Sequence, residues 1–323
     1  MNLARRLIIG ALSAILLLPA GTAAESARSL LHEFPKLDVT RSTISLREIE
    51  SGGVPRDAIP AILDPAFVPV RDISGLGEDE PVLFLVGSCG AFAFPYRILI
   101  WHEIVHHDHC GTPVAVTYCP LCNSSMVFDR RVDGAVLSFG TTGRLRHSDL
   151  VMYDHQSESL WQQFTGEAMV GLHAGKTLNA VPARIEAWRL FRAEFPDGHV
   201  LVPPSWGRRP YGQNPYQGYD SAPEPFLFSG KMPSGIDPMA RVVRVGTRAW
   251  SLNHVRKNTP VITADGLRIE WREGQNSAMD TSAISQGRDV GNVRVTRDGS
   301  DVAYSVDFAF AYRAFYPEGE LVK

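Results

Sequence analysis

Cys119-Pro120-Leu121-Cys122 sets two thiols three residues apart directly after a β-branched run. Such a pair can close a small disulfide, hold a soft metal ion, or cycle between the two. It belongs to WHEIVHHDHCGTPVAVTYCPLCNSSMVFD (101–129), which carries four of the ten histidines and three of the four cysteines in the 323-residue chain. A thioredoxin-type pair needs a helix N-terminus to lower its thiol pKa, whereas Asn123-Ser124-Ser125 leads into a strand-like run. A c-type haem site needs a histidine at position 123, and a zinc ribbon needs a second Cys-x-x-Cys pair; the chain has neither. A mixed Cys/His/Met metal site and a redox thiol pair stay open, against a purely structural bridge.

His102 is the natural third ligand, one short loop away from the thiols, and Met152 and His147 are further candidates. Two thiolates, an imidazole and a thioether favour copper(I), and a harder fourth donor favours zinc; copper is expected ahead of zinc. His102-Glu103-Ile104-Val105-His106 also fits HExxH, in which two histidines share a helix face and Glu103 is the general base. The extended metalloprotease form fails, however, because His109 and Thr112 stand where glycine and histidine are required. Asp149, Asp154, Glu158 and Trp161 lie in a polar strand–turn segment, suited to acid–base chemistry or simply to turn hydrogen bonds. Cys89 and Cys110 flank one hairpin-plus-helix segment and are a plausible bridge. His106, His107 and His109 are either extra ligands or a solvated local cluster, and the second is the preferred reading.

The elements that hold these residues read as strands. Pro81–Val86 and Ala91–Phe94 form a hairpin, and Pro95 opens a helix from Tyr96 to about His106. Val114–Tyr118 and Met126–Asp129 flank the CPLC turn, with further strands at 136–140 and 144–154. Residues 184–195 have helical spacing, and a terminal strand is expected over 306–315. With 22 prolines and 28 glycines, the expected fold is α+β, predominantly antiparallel β with a few short helices. RVVRVGTRAWSL weakly echoes VLFLVGSCGAFAFP, a candidate duplicated β unit.

Hydrophobic content of 44%, charged content of 21% and a net charge of −3 describe an ordinary globular chain without the basic face that nucleic acid or anionic membrane requires. Asn2–Arg6, the apolar run Leu7–Ala20 and the small residues 21–24 read as a signal peptide over 1–24, with an uncleaved anchor as the alternative. The expected location is therefore periplasmic or secreted, with no stable membrane insertion after cleavage, and the cysteines meet an oxidising compartment. An irregular lead-in (25–78) precedes a CPLC-bearing β half (79–202). A Pro/Gly/Tyr-rich loop (203–238), read as a packed connection or as a substrate-contact lid, leads to a second β half (239–323) packed as one domain with the first.

SGGVPRDAIPAI, RILIWHEIV, PVAVTYCPLCNSSMVFDR, FGTTGRLRHSDLVMYD, SLWQQFTGEAMVG and GQNSAMD together resemble the exported bacterial family called domain of unknown function 3179. The resemblance covers nearly all of the chain after residue 24. It implies that His102, Cys119, Cys122 and Met152 act as one site, and it brings no established activity. The family pattern after HEIV is Asn-Asp followed by Gly-Gly, where this chain has His106-His107-Asp108-His109-Cys110, and Cys89 is also a departure. The joint departure of the two cysteines supports a Cys89–Cys110 disulfide and weakens HExxH. The leading expectation is an exported protein that binds a transition metal through Cys119, Cys122, His102 and Met152, with His147, Asp149 and Glu103 as additional donors. It would serve in metal handling or metal-dependent oxidation. A thiol–disulfide oxidoreductase using the CPLC pair, or a ligand-binding scaffold with structural bridges only, are the alternatives; no physiological partner is indicated.

Overall fold

The computed structural model describes residues 23–323, so the expected signal peptide at 1–24 falls almost wholly outside it. The fold is β-rich with mostly antiparallel sheets and short helices, as expected. No helix among the described residues is long and apolar enough to cross a membrane.

Helix α1 (Ala23–Glu33) leads in, and β1 (Pro81–Gly87) pairs antiparallel with β2 (Gly90–Pro95), which runs into α2 (Tyr96–His102). Then come β3 (Ile104–His109), β4 (Thr112–Cys119) and β5 (Ser124–Asp129), a three-stranded antiparallel sheet of their own. β6 (Phe139–Arg146) and β7 (Asp149–Asp154) form a hairpin in a second sheet, with β8 (Leu160–Gln162) beside β7. β9 (Arg184–Ala187), α3 (Trp188–Glu194) and β10 (His199–Leu201) return to the first hairpin. After the long loop come β11 (Arg241–Val245), β12 (Arg248–Ser251) and α4 (Leu252–Asn258). β13 (Ser305–Phe308), α5 (Ala309–Phe315) and β14 (Leu321–Val322) close the chain.

One arrangement occurs twice. Within the nine-stranded sheet the order is β9-β1-β2-β10, and in the four-stranded sheet it is β13-β11-β12-β14. Pairing is antiparallel, antiparallel, parallel in both, and a helix follows β2, β9, β12 and β13 at equivalent places. FRAEFPDGHVL (191–201) and YRAFYPEGELV (312–322) fall on matching helix-to-strand corners.

Three expectations need correction. The helix opened by Pro95 stops at His102, because Glu103 takes a left-handed conformation (φ 58°) and the β-branched Ile104-Val105 continues as strand. Residues 184–195 are a short strand followed by a helix, and 306–315 are likewise mostly helix. The alternation Phe308-Ala-Phe310-Ala-Tyr312 mimics a strand period, yet the strand ends at Phe308 and Ala309 to Tyr312 pack from helix α5 onto the four-stranded sheet.

Candidate metal centre

Strand β4 delivers Cys119 in extended conformation, and Pro120–Cys122 form one 3₁₀ turn. Proline suits its first position, since that N–H would go unpaired there. Asn123, left-handed at φ 52°, then reverses the chain into β5, a conformation that asparagine tolerates better than most residues. Its side-chain N–H₂ donates to the Val306 carbonyl at 2.6 Å, pinning the turn to β13. Both thiols are free and buried in the same core cluster as Met152 and Trp161.

The β6–β7 turn faces them. His147 and Ser148 both have positive φ, the backbone of a tight hairpin turn. Their carbonyl oxygens lie 3.9 Å from the Cys122 and Cys119 sulfurs respectively. The next residue, Asp149, is fully buried. Its Oδ1 accepts from Gln162 Nε2 (2.7 Å) and the Phe164 N–H (3.0 Å). Its Oδ2 is buried and takes no N–H or O–H hydrogen bond among the described residues, and the Cys119 thiol is the further hydrogen-bonding group facing this carboxyl. Cys119 Sγ, Cys122 Sγ and an Asp149 oxygen all lie within 4.8 Å of one another. Tetrahedral zinc with sulfur at about 2.3 Å needs donors roughly 3.3–3.8 Å apart, so a small contraction suffices.

The electrostatics suit a cation. Burial pushes both thiols above the usual range. It also raises the Asp149 carboxyl to about 7. Glu103, raised to about 8 by burial and then by the nearby Asp149, is a fourth acidic group in the same region. The neighbouring Arg244 is already paired with Asp307 (Nε to Oδ2, 2.6 Å). Buried acids without a free cation stay protonated, and a metal ion reverses that preference.

His102 does not join the thiols. Its Nδ1 lies 2.7 Å from the Pro60 carbonyl oxygen and its Nε2 lies 2.8 Å from the Tyr211 hydroxyl. A carbonyl only accepts, so Nδ1 carries the proton and Nε2 accepts from Tyr211, leaving no ring lone pair free. Asp149 stands beside the thiols in the place expected for His102. Met152 is fully buried on β7, opposite Thr141 and Trp161. His147 reaches the site through its carbonyl only. Its ring packs against Phe228 and Phe315, with Nε2 3.9 Å from Glu48.

HExxH is broken by the chain's change of element. His106 sits on β3, where its Nε2 accepts from the Phe139 N–H at 3.0 Å, so it shares no helix face with His102. The His106/His107/His109 group is not a solvated cluster. His106 and His109 are buried, and His107 packs among Phe67, Phe92 and Phe94. Burial holds His106 down to about 3 and His107 to about 4. Cys89 and Cys110 are joined as a disulfide, as expected. Asp154 accepts from Ser157 and from Trp161 Nε1, and Glu158 pairs with Arg56, so these are structural roles.

Beside the CPLC turn lies a cavity of about 520 Å³ bordered by Glu103, Leu121, Leu150, Tyr216, Tyr219 and Phe226. Tyr216, Tyr219 and Phe226 come from the long loop, whose functional side the sequence offered only as one of two readings. No curated protein and no solved structure matches the chain. Residues 56–319 match the family described as "Protein of unknown function (DUF3179)", and the chain belongs to that family.

Proposed function

We propose that the protein binds a divalent transition-metal ion through Cys119, Cys122 and Asp149, and that metal binding is its biochemical role in an exported location. The observation that carries this reading is the buried Asp149 carboxyl group, whose Oδ2 takes no N–H or O–H hydrogen bond, set against two buried free thiols. Leaving a carboxylate oxygen unpaired in a core costs more than most single interactions return, and an ion shared with two thiolates supplies the missing partner. A thiolate–thiolate–carboxylate set suits zinc. Copper(I) would call instead on a thioether, for which Met152 is the buried candidate.

The oxidoreductase alternative has weaker support. Burial disfavours the thiolate at both sulfurs, and the pair heads a single 3₁₀ turn without a helix dipole to lower it. In an oxidising compartment, coordination would also keep the pair reduced while Cys89 and Cys110 are bridged.

Anaerobically purified protein should hold about one equivalent of zinc per chain by elemental analysis. Cys119→Ser and Cys122→Ser should each lose it while keeping the wild-type circular dichroism. Wild-type protein with both thiols titratable and no metal retained after zinc loading and desalting would refute the proposal.

A further inference from the structure

The cavity beside the CPLC turn is built as a ligand site in its own right. Its volume of about 520 Å³ falls within the range of small-molecule pockets, roughly 300–1,000 Å³. One wall exists because β6 bulges: Thr141 pairs with Met152 but Arg144 pairs with Val151, so Thr142 and Gly143 are extra. Gly143 is left-handed (φ 71°), and a Cβ there would lie 2.1 Å from the Val54 carbonyl oxygen. Only glycine fits this corner, and bulges of this kind commonly shape binding sites. The facing wall is Tyr216, Tyr219 and Phe226, held in place by the Tyr219 hydroxyl, which donates to the Leu121 carbonyl (3.0 Å) and accepts from the Phe226 N–H (3.1 Å).

Within these apolar walls stands one acidic side chain with nothing to bind. Glu103 is only 6% exposed, and no described residue hydrogen-bonds its carboxyl group. Its backbone is fixed at both ends, the N–H on Leu99 and the carbonyl accepting from Tyr118. The one basic residue lining the cavity, Arg144, spends its guanidinium on Glu33 (2.6 Å) and Ser29 (2.9 Å). Burial keeps the Glu103 carboxyl group protonated when no ligand is bound. An ammonium group entering beside it displaces that proton to solvent and pairs with the carboxylate. With aromatic faces around it and no free cation, the cavity selects for a positively charged nitrogen on an apolar body.

We propose that this cavity binds a small primary amine carrying an aromatic or aliphatic group, with its nitrogen on Glu103 and its apolar part between Tyr216, Tyr219 and Phe226. The proposal is independent of the metal reading, and the test uses metal-free protein so that the two can fail separately. Titration calorimetry with 2-phenylethylamine, 2-phenylethanol and 3-phenylpropanoate holds the ring constant and changes the head group. The amine should bind about tenfold or more tightly than the alcohol, as a charged hydrogen bond implies, and the carboxylate more weakly than either. Glu103→Gln should bring amine and alcohol to parity. Phe226→Ala, at a half-exposed rim position, should weaken both by a similar factor and covers the case in which Glu103→Gln does not fold. No binding of the amine, alcohol or carboxylate binding as tightly as the amine, or Phe226→Ala leaving amine affinity unchanged would each overturn it.

Discussion

Asp149→Asn should have opposite effects on stability and on metal binding. Asparagine keeps the shape and keeps an acceptor for Gln162 and Phe164, but removes the charge at Oδ2. In the metal-free protein the Asp149 carboxyl is raised by burial from 3.8 to about 7. The folded state therefore holds this proton more tightly than the unfolded chain. The contribution of this one group to wild-type stability is fully present below about pH 4, is lost between about pH 4 and 7, and stays absent above that, a total on the order of 4 kcal/mol. Asparagine escapes the loss but buries an amide N–H₂ without an acceptor, at a cost of about 1–3 kcal/mol. Urea denaturation of reduced, metal-free protein should thus show Asp149→Asn roughly 1–3 kcal/mol more stable than wild type at pH 8 and less stable near pH 4. Zinc affinity at pH 7.5, read against a chromophoric competitor, should nonetheless fall by about a hundredfold or more, since a neutral amide replaces an anionic donor. Equal destabilisation at both pH values with unchanged zinc affinity would show Asp149 to be a structural acid and would remove the basis for the metal centre.

Two further perturbations separate scaffold from site. Replacing Cys89 and Cys110 together by serine opens a 21-residue loop and should cost about 3 kcal/mol in denaturant; zinc stoichiometry should not change, and its loss would tie the bridge to the site. Asn123→Ala forces alanine into a left-handed position and removes the bond to Val306, which should cost about 2–3 kcal/mol and weaken zinc binding. Asn123→Gly, free of the backbone penalty, should cost about 1 kcal/mol, and the reverse ranking by thermal melts would contradict this account of the turn.

Much of the scaffold was legible because strands with turn residues at both ends announce themselves: the 81–95 hairpin and the two strands around the CPLC turn fall where expected. The misreadings have physical causes. Alternating phenylalanine and alanine at 308–312 carries a period of two on a segment whose docking surface makes it helical. The signal that would have corrected it was in the chain, since YRAFYPEGELV repeats the helix-ending FRAEFPDGHVL. His102 is the natural ligand on sequence grounds because it lies only a short stretch of chain from two thiols. Glu103, by breaking the helix in a left-handed residue, leaves His102 bound to Pro60 and Tyr211 and places its own side chain at the cavity. Asp149 is legible only as one additional donor among several, because it lies thirty residues from Cys119 and the turn between the paired strands β6 and β7 carries it back to the thiols.

That pairing also explains why a metal here would matter to the fold as a whole. Cys119 and Cys122 belong to the three-stranded sheet and Asp149 to the hairpin of another, so an ion shared among them crosslinks two sheets. The CPLC turn is tied in addition to the C-terminal unit, through Asn123 to Val306 and through the Ser125 N–H to Ser305 Oγ at 3.2 Å. Beside the turn, Arg244 and Asp307 of that unit form a buried ion pair, whose geometry suffers if the strands shift. An ion that binds only the folded chain adds stability as the logarithm of its free concentration over Kd. Here that gain would fall on the junction where three sheets meet. Zinc loading should therefore slow amide exchange in β4, β5, β7 and β13 together, although these strands belong to three sheets. Protection confined to residues 119–124 would mean that the ion is bound by the turn alone and that Asp149 is not a ligand.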